Sequence, residues 1–120
     1  MNSMSDVNRL KSELYECHTC ERTLNVEDVE NTWKCPDCKI RICIYGEDKE
    51  TNTRITLERK RASEIETKDL VHLHGGLTGE AYSVLGISKI KNNKLGLGLK
   101  GWGRWIVHPD ETINCRTGSW

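Results

Sequence analysis

Cys17-His18-Thr19-Cys20 and Cys35-Pro36-Asp37-Cys38 decide how the front of this chain folds. Each stretch holds two cysteines separated by two residues, and fourteen residues lie between the stretches. A C-x2-C knuckle turns the backbone tightly enough to aim two sulfurs at one ion, and two knuckles complete a tetrahedral shell. The spacing lies close to that of two-knuckle zinc sites. The residues between can form a hairpin that brings the knuckles together. Four thiolates leave no coordination position for water, so such a centre is structural rather than catalytic. The expected ligands are therefore Cys17, Cys20, Cys35 and Cys38, around one Zn2+. A rubredoxin-type iron centre uses the same thiolates, so iron stays open beside the better-fitting zinc. A disulfide framework suits an oxidising compartment, and a redox-active pair needs a strand-to-helix junction. Neither setting is visible here.

With the flanking residues included, Glu16-Cys17-His18-Thr19-Cys20 and Trp33-Lys34-Cys35-Pro36-Asp37-Cys38 resemble a zinc ribbon with rubredoxin-like four-cysteine knuckles. The resemblance covers residues 15–46. It implies metal and fold and is silent on function, because zinc ribbons serve transcription, translation, nucleases and adaptors alike. Lys34, Lys39, Arg22 and Arg41 flank the knuckles and can offset the negative charge of four thiolates around a divalent ion. His18 stands between two ligands and reads as a bystander. Cys43 and Cys115 read as small half-buried hydrophobes. In Ile40-Arg41-Ile42-Cys43-Ile44-Tyr45 the alternation is that of a strand, with the isoleucines on one face.

Composition restricts the rest. The chain has 120 residues, no Phe, 36% hydrophobic and 30% charged residues. A large core is excluded, and a chain this polar needs a staple or a small barrel. Lys plus Arg number 18 and so do Asp plus Glu. A globally basic nucleic-acid binder is thereby excluded, and any such role must come from a local patch. No run approaches the roughly 18 apolar residues of a membrane-spanning helix. The polar opening, Met1 to Leu10, shows no secretory signal, which leads to the expectation of a cytoplasmic protein.

Residues 1–14 read as a tail or short helix, with Val7, Leu10 and Leu14 at helical spacing and Ser5 as N-cap. Residues 47–61 read as a charged linker followed by a first strand. Residues 62–120 read as short strands bent by glycine. Leu70 to His74 opens the set, and Ala81 to Lys91 follows with a break at Gly86 that suggests a bulge. Asn92-Asn93 suits a tight turn. Leu95, Leu97 and Leu99 share one strand face, with Gly96 and Gly98 on the other. Gly103 to Val107 and Thr112 to Cys115 complete it. The order is similar to that of SH3-like barrels, which implies a mainly β protein made of a zinc ribbon and a small SH3-like β-barrel.

One local asymmetry bears on function. From Lys89 to Trp105 the chain carries Lys89, Lys91, Lys94, Lys100 and Arg104 and no carboxylate, with Trp102 among them. Lysines can neutralise phosphates and an exposed tryptophan can stack on bases. The run Arg59-Lys60-Arg61 is a second basic candidate. The expected function is a non-enzymatic zinc-binding module that binds nucleic acid or a nucleic-acid-processing machine, as a small regulator. A protein-binding adaptor or inhibitor, docked through the ribbon or a barrel edge strand, is the alternative. A small enzyme using His72 and His74 is the third reading. Gly96 to Gly101 spells G-x-G-x-x-G, but no helix can follow it, so the dinucleotide reading fails.

Overall fold

The computed structural model describes residues 3–73 and 77–120. The protein is mainly β. Among the described residues nine strands form one antiparallel sheet: β1 (Ser12–Cys17), β2 (Arg22–Leu24), β3 (Cys43–Asp48), β4 (Thr53–Arg61), β5 (Leu70–Val71), β6 (Tyr82–Ile90), β7 (Lys94–Leu99), β8 (Gly103–Val107) and β9 (Thr112–Ser119). The spatial order is β2-β1-β3-β4-β9-β5-β6-β7-β8. One short helix, α1 (Val26–Val29), lies between β2 and the second knuckle.

The rear strands follow the expected order along the chain, and in space the last strand β9 pairs with β5. The bulge falls between Val84 and Gly86. Asn92 and Asn93 take positive φ (64° and 58°) in the β6–β7 turn, which Asn tolerates better than most residues. Leu97 and Leu99 are buried, as a period-2 strand with one covered face requires.

The front half differs from expectation in three places. The first is the N-terminal segment, where no helix occurs among the described residues of 3–14. Met4 and Leu10 pack into the front core instead, and β1 begins at Ser12. A lone Ser5 cap and three spaced apolar residues cannot hold a helix that the core does not need. The second is the charged stretch that opens residues 47–61. It is not a linker, because Gly46 to Asp48 belong to β3 and the chain turns directly into β4. The third is Ile40, which is half exposed while Ile42 and Ile44 are fully buried. Strand alternation starts only with β3, and Ile40 still belongs to the second knuckle.

The sheet is continuous through the middle because β4 pairs with β3 on one side and with β9 on the other. The apolar side chains nonetheless gather in two clusters. One surrounds Trp33, Ile44 and Leu57 and includes Cys17 and Cys35. The other surrounds Val71, Leu97 and Ile113. The cysteine knuckles and rear strands thus share one backbone scaffold, each with its own core.

Candidate functional site

Both knuckles are hairpin tips. The first lies between β1 and β2, which pair as far as Cys17 and Arg22. The second lies between Lys34 and Arg41, which form a single antiparallel bridge. In each, the residue after the second cysteine takes positive φ: 53° at Glu21 and 63° at Lys39. That turn folds the backbone around the sulfurs. The Cys20 N–H donates to Cys17 Sγ at 3.3 Å. Cys35 N–H donates to the Ile40 carbonyl, and Lys39 N–H to the Cys35 carbonyl, both at 2.9 Å.

The four sulfurs of Cys17, Cys20, Cys35 and Cys38 all lie within 4.8 Å of one another. Cys17 Sγ is 3.5 Å from Cys38 Sγ, and Cys20 Sγ is 3.9 Å from Cys35 Sγ. A disulfide would need about 2.05 Å, so these are free thiols. Sulfurs about 2.3 Å from a central ion stand about 3.8 Å apart in a regular tetrahedron. The cluster therefore has the donor set and the size of a four-thiolate metal centre. Backbone N–H groups of Cys38, and then Asp37, point at the Cys35 sulfur and draw its pKa down to about 6 against the opposing effect of burial. Cys20 is pushed up to about 12, first by hydrogen bonding to the Cys38 and Cys17 thiols. Without a cation the sulfurs share protons, and a bound cation lets all four ionise.

Cys17 and Cys35 are buried, and Cys20 is exposed. The second knuckle is anchored by Trp33, wholly buried, whose indole N–H donates to the Met4 carbonyl at 2.7 Å. Arg22 and Asp37 pair at 2.8 Å from one knuckle to the other. His18 is not among the clustered ligands; its Nε2 lies 3.0 Å from the Tyr45 hydroxyl. Cys43 is half-buried and Cys115 buried, and neither joins the cluster.

No protein-family model matches the chain, and neither the curated proteins nor the solved structures yield a match. Function must therefore be argued from the side chains themselves. No helix among the described residues is long and apolar enough to cross a membrane.

The two basic candidates separate sharply. Arg59 is 1% exposed and Lys60 8%. Arg59 donates to both carboxylate oxygens of Glu13, at 3.0 and 2.7 Å, and Lys60 Nζ lies 3.0 Å from Asp69. These two charges are used inside the fold, so the reading of Arg59 and Lys60 as phosphate contacts is corrected. Burial in a central strand forces each to take a carboxylate partner. Arg61 is half-buried and donates to the Asp110 carbonyl at 3.4 Å.

By contrast, Lys89, Lys91, Lys94, Lys100 and Arg104 are exposed, and none forms an ion pair among the described residues. The ladder places them more finely. Cross-strand partners share a sheet face. Gly98 lies between Gly86 and Arg104, and Gly96 between Ser88 and Ile106. Lys94, Gly96, Gly98 and Lys100 thus occupy the outer face of β7 and its end, opposite buried Leu97 and Leu99. The Arg104 side chain lies across Gly96: a Cβ added there would meet Arg104 Cδ at 2.9 Å. Trp102, 48% exposed, sits in the turn after Lys100, and Ile106 is 49% exposed on β8. Trp105 is half-buried on the inner face beside Leu97. The alternation Lys94-x-Gly96-x-Gly98-x-Lys100 puts glycines between the cations of this face, with Gly96 buried beneath Arg104 and Ser88 and Gly98 half-buried.

His72 is 2% exposed, and its backbone N–H donates to the Asn114 carbonyl at 3.0 Å. His74 lies outside the described residues.

Proposed function

We propose that the protein is a non-enzymatic module in which one structural Zn2+ on Cys17, Cys20, Cys35 and Cys38 secures the front of the sheet, while the outer face of β6, β7 and β8 binds nucleic acid. One observation carries the second part. The chain is neutral overall, yet residues 82–107 hold five cations and no carboxylate, and those cations are left without acidic partners among the described residues. Elsewhere cations are paired internally, as at Arg59, Lys60 and Arg41. Lys94, Lys100 and Arg104 are on the outer face or at its end, whereas Lys89, opposite Leu95, is on the other face. Unneutralised charge on the outer face is what a polyanion would complement, through release of its counterions.

The supporting measurements are separate for the two parts. Elemental analysis of the purified chain is expected to return one zinc per chain. Fluorescence anisotropy with a labelled oligonucleotide is expected to show binding at low salt that Lys94→Glu with Arg104→Glu abolishes. Unchanged binding by that double variant rejects the face.

A second reading rests on the sheet edges. Among the described residues β8 pairs only with β7 and carries exposed Ile106, so an extended peptide could add to it as a further strand. Co-purification of a defined protein that resists both nuclease and high salt would select this reading. No reaction is assigned to the chain.

A further inference from the structure

We infer that the nucleic acid taken by the β6–β8 face is single-stranded, lying along β7 with bases against the protein rather than turned away from it. The inference rests on the binding role just proposed for this face. It follows from what lies between the cations. The outside of a duplex is phosphate, and a face evolved for it needs charge and polar donors but gains nothing from exposed apolar side chains. Here Trp102 and Ile106 are about half exposed in the same region as Lys94, Lys100 and Arg104. Such a mixture suits a ligand that offers anionic phosphates and unstacked aromatic rings together.

The floor supports the same conclusion. Gly86 and Gly98, opposite each other and partly exposed, leave the middle of the strip without side chains, while Gly96 is buried beneath the Arg104 stem and the Ser88 hydroxyl. A flat ring can approach the backbone there, and Arg104 can lie against its face as a cation–π partner. From Lys94 to Lys100 the strip runs about 20 Å along the strand at about 3.3 Å per residue. Three strands make it about 10 Å wide at about 4.8 Å per step. Those dimensions fit a strand tracked lengthwise, with Lys94 and Lys100 on phosphates at the two ends and Trp102 as a stacking platform.

The test uses the full chain with metal bound and a fluorescein-labelled oligothymidylate of about 12 nucleotides, beside a duplex of the same length. The single strand is expected to bind more tightly than the duplex. With about four phosphate contacts its affinity is expected to fall about 50-fold between about 50 and 200 mM salt, since each contact adds about 0.7 to the logarithmic slope. Trp102→Ala, at an exposed turn position, is expected to weaken the single strand at least about 5-fold and the duplex little. Gly98→Ala is the second variant. A Cβ at position 98 meets only Gly86 backbone atoms, at 3.6 and 3.8 Å, so the fold tolerates it while the floor is raised. It is expected to keep the thermal midpoint and lose single-strand affinity. Duplex binding equal to or tighter than the single strand overturns this inference and leaves the binding role standing. So does undiminished single-strand affinity in both variants. Absence of binding to either probe at low salt overturns the binding role itself.

Discussion

Arg59 holds Glu13 through both terminal guanidinium nitrogens, at 3.0 and 2.7 Å, with β3 lying between their two strands. Both side chains are essentially removed from water. The pair is fully dressed: Glu13 also accepts from the Tyr15 hydroxyl and the Leu10 N–H, and Arg59 donates to Asn114 Oδ1 and the Asn8 carbonyl. The guanidinium further lies 4.4 Å from the Trp33 ring centroid. One side chain therefore connects β1, β4, β9 and the arm of the second knuckle.

Removal of one partner strands a buried charge. Arg59→Met is expected to cost about 3–5 kcal/mol in urea unfolding. The double variant Glu13→Leu with Arg59→Met is expected to recover part of that loss. It cannot recover all, because the Tyr15 hydroxyl and Leu10 N–H would lose their acceptor. A single variant that unfolds at the wild-type urea midpoint would remove the pair from the account of stability.

Chelation is expected to loosen the two knuckles without unfolding the sheet. The front cluster draws on Met4, Leu10, Tyr15 and Leu57 as well as the residues between the cysteines, so its core is larger than the ribbon alone supplies. Hydrogen exchange is the measurement. Residues 17–24 and 33–42 should lose protection when metal is removed, while β4 and β9 keep theirs. Uniform loss of protection would show that metal and whole-sheet stability are inseparable.

The four-cysteine cluster and the run of rear strands along the chain were legible in the sequence because each is marked locally. Two cysteines at fixed spacing state a knuckle, and alternation around Leu95, Leu97 and Leu99 states a strand with one covered face. The fate of Arg59-Lys60-Arg61 was not legible. Glu13 lies 46 residues upstream of Arg59, and nothing near the basic run announces that β4 is covered by β3 and β9. Three consecutive cations therefore looked like surface. The Asn92-Asn93 turn and the Gly86 bulge were visible because their backbone demands restrict residue type, whereas strand pairing between β4 and β9 places no such mark on the sequence.

Gly46 on β3 faces Leu10, and a Cβ built there overlaps the Leu10 side chain. Gly46→Ala is expected to cost about 1–3 kcal/mol, as overpacking does in a filled core. Leu10→Ala alone removes buried methyl groups at a cost of about 2–5 kcal/mol. In the double variant the two costs should not add, because each relieves the other. Additive urea midpoints would place the Gly46 effect elsewhere.

Lys39 carries its positive φ in the second knuckle, where the left-handed region costs a side-chain-bearing residue about 1–2 kcal/mol. Lys39→Gly and Lys39→Val both lose the ammonium bond to the Pro36 carbonyl, so a comparison between them isolates the backbone. The glycine variant is expected to match or exceed the wild type in metal affinity, and the valine variant to fall below it. Competition with a chromophoric chelator measures the order, and a valine variant that binds as tightly as glycine would refute it.

Stability is expected to fall on the alkaline side. Burial, reinforced by Asp69 and opposed by Lys60, pushes the Cys115 thiol up to about 12 from an ordinary 9.0. Between those values the unfolded chain gives up a proton that the folded chain keeps. Unfolding then releases that proton, so stability falls as pH rises from 9 towards 12, and below 9 this group has no effect. The slope approaches about 1.4 kcal/mol per pH unit once the unfolded thiol is ionised. Tyr15, raised from 10.0 to about 12 by burial and by Glu13, adds a second proton with the same sign but a later onset. Cys115→Val keeps an apolar group of similar size and removes the first proton only. Taken relative to the value at about pH 8, urea midpoints of the metal-loaded proteins at about pH 9.5 and 10.5 should therefore fall sooner and more steeply for the wild type than for the variant. Parallel curves would mean that the Cys115 thiol ionises in the folded sheet as readily as in the unfolded chain.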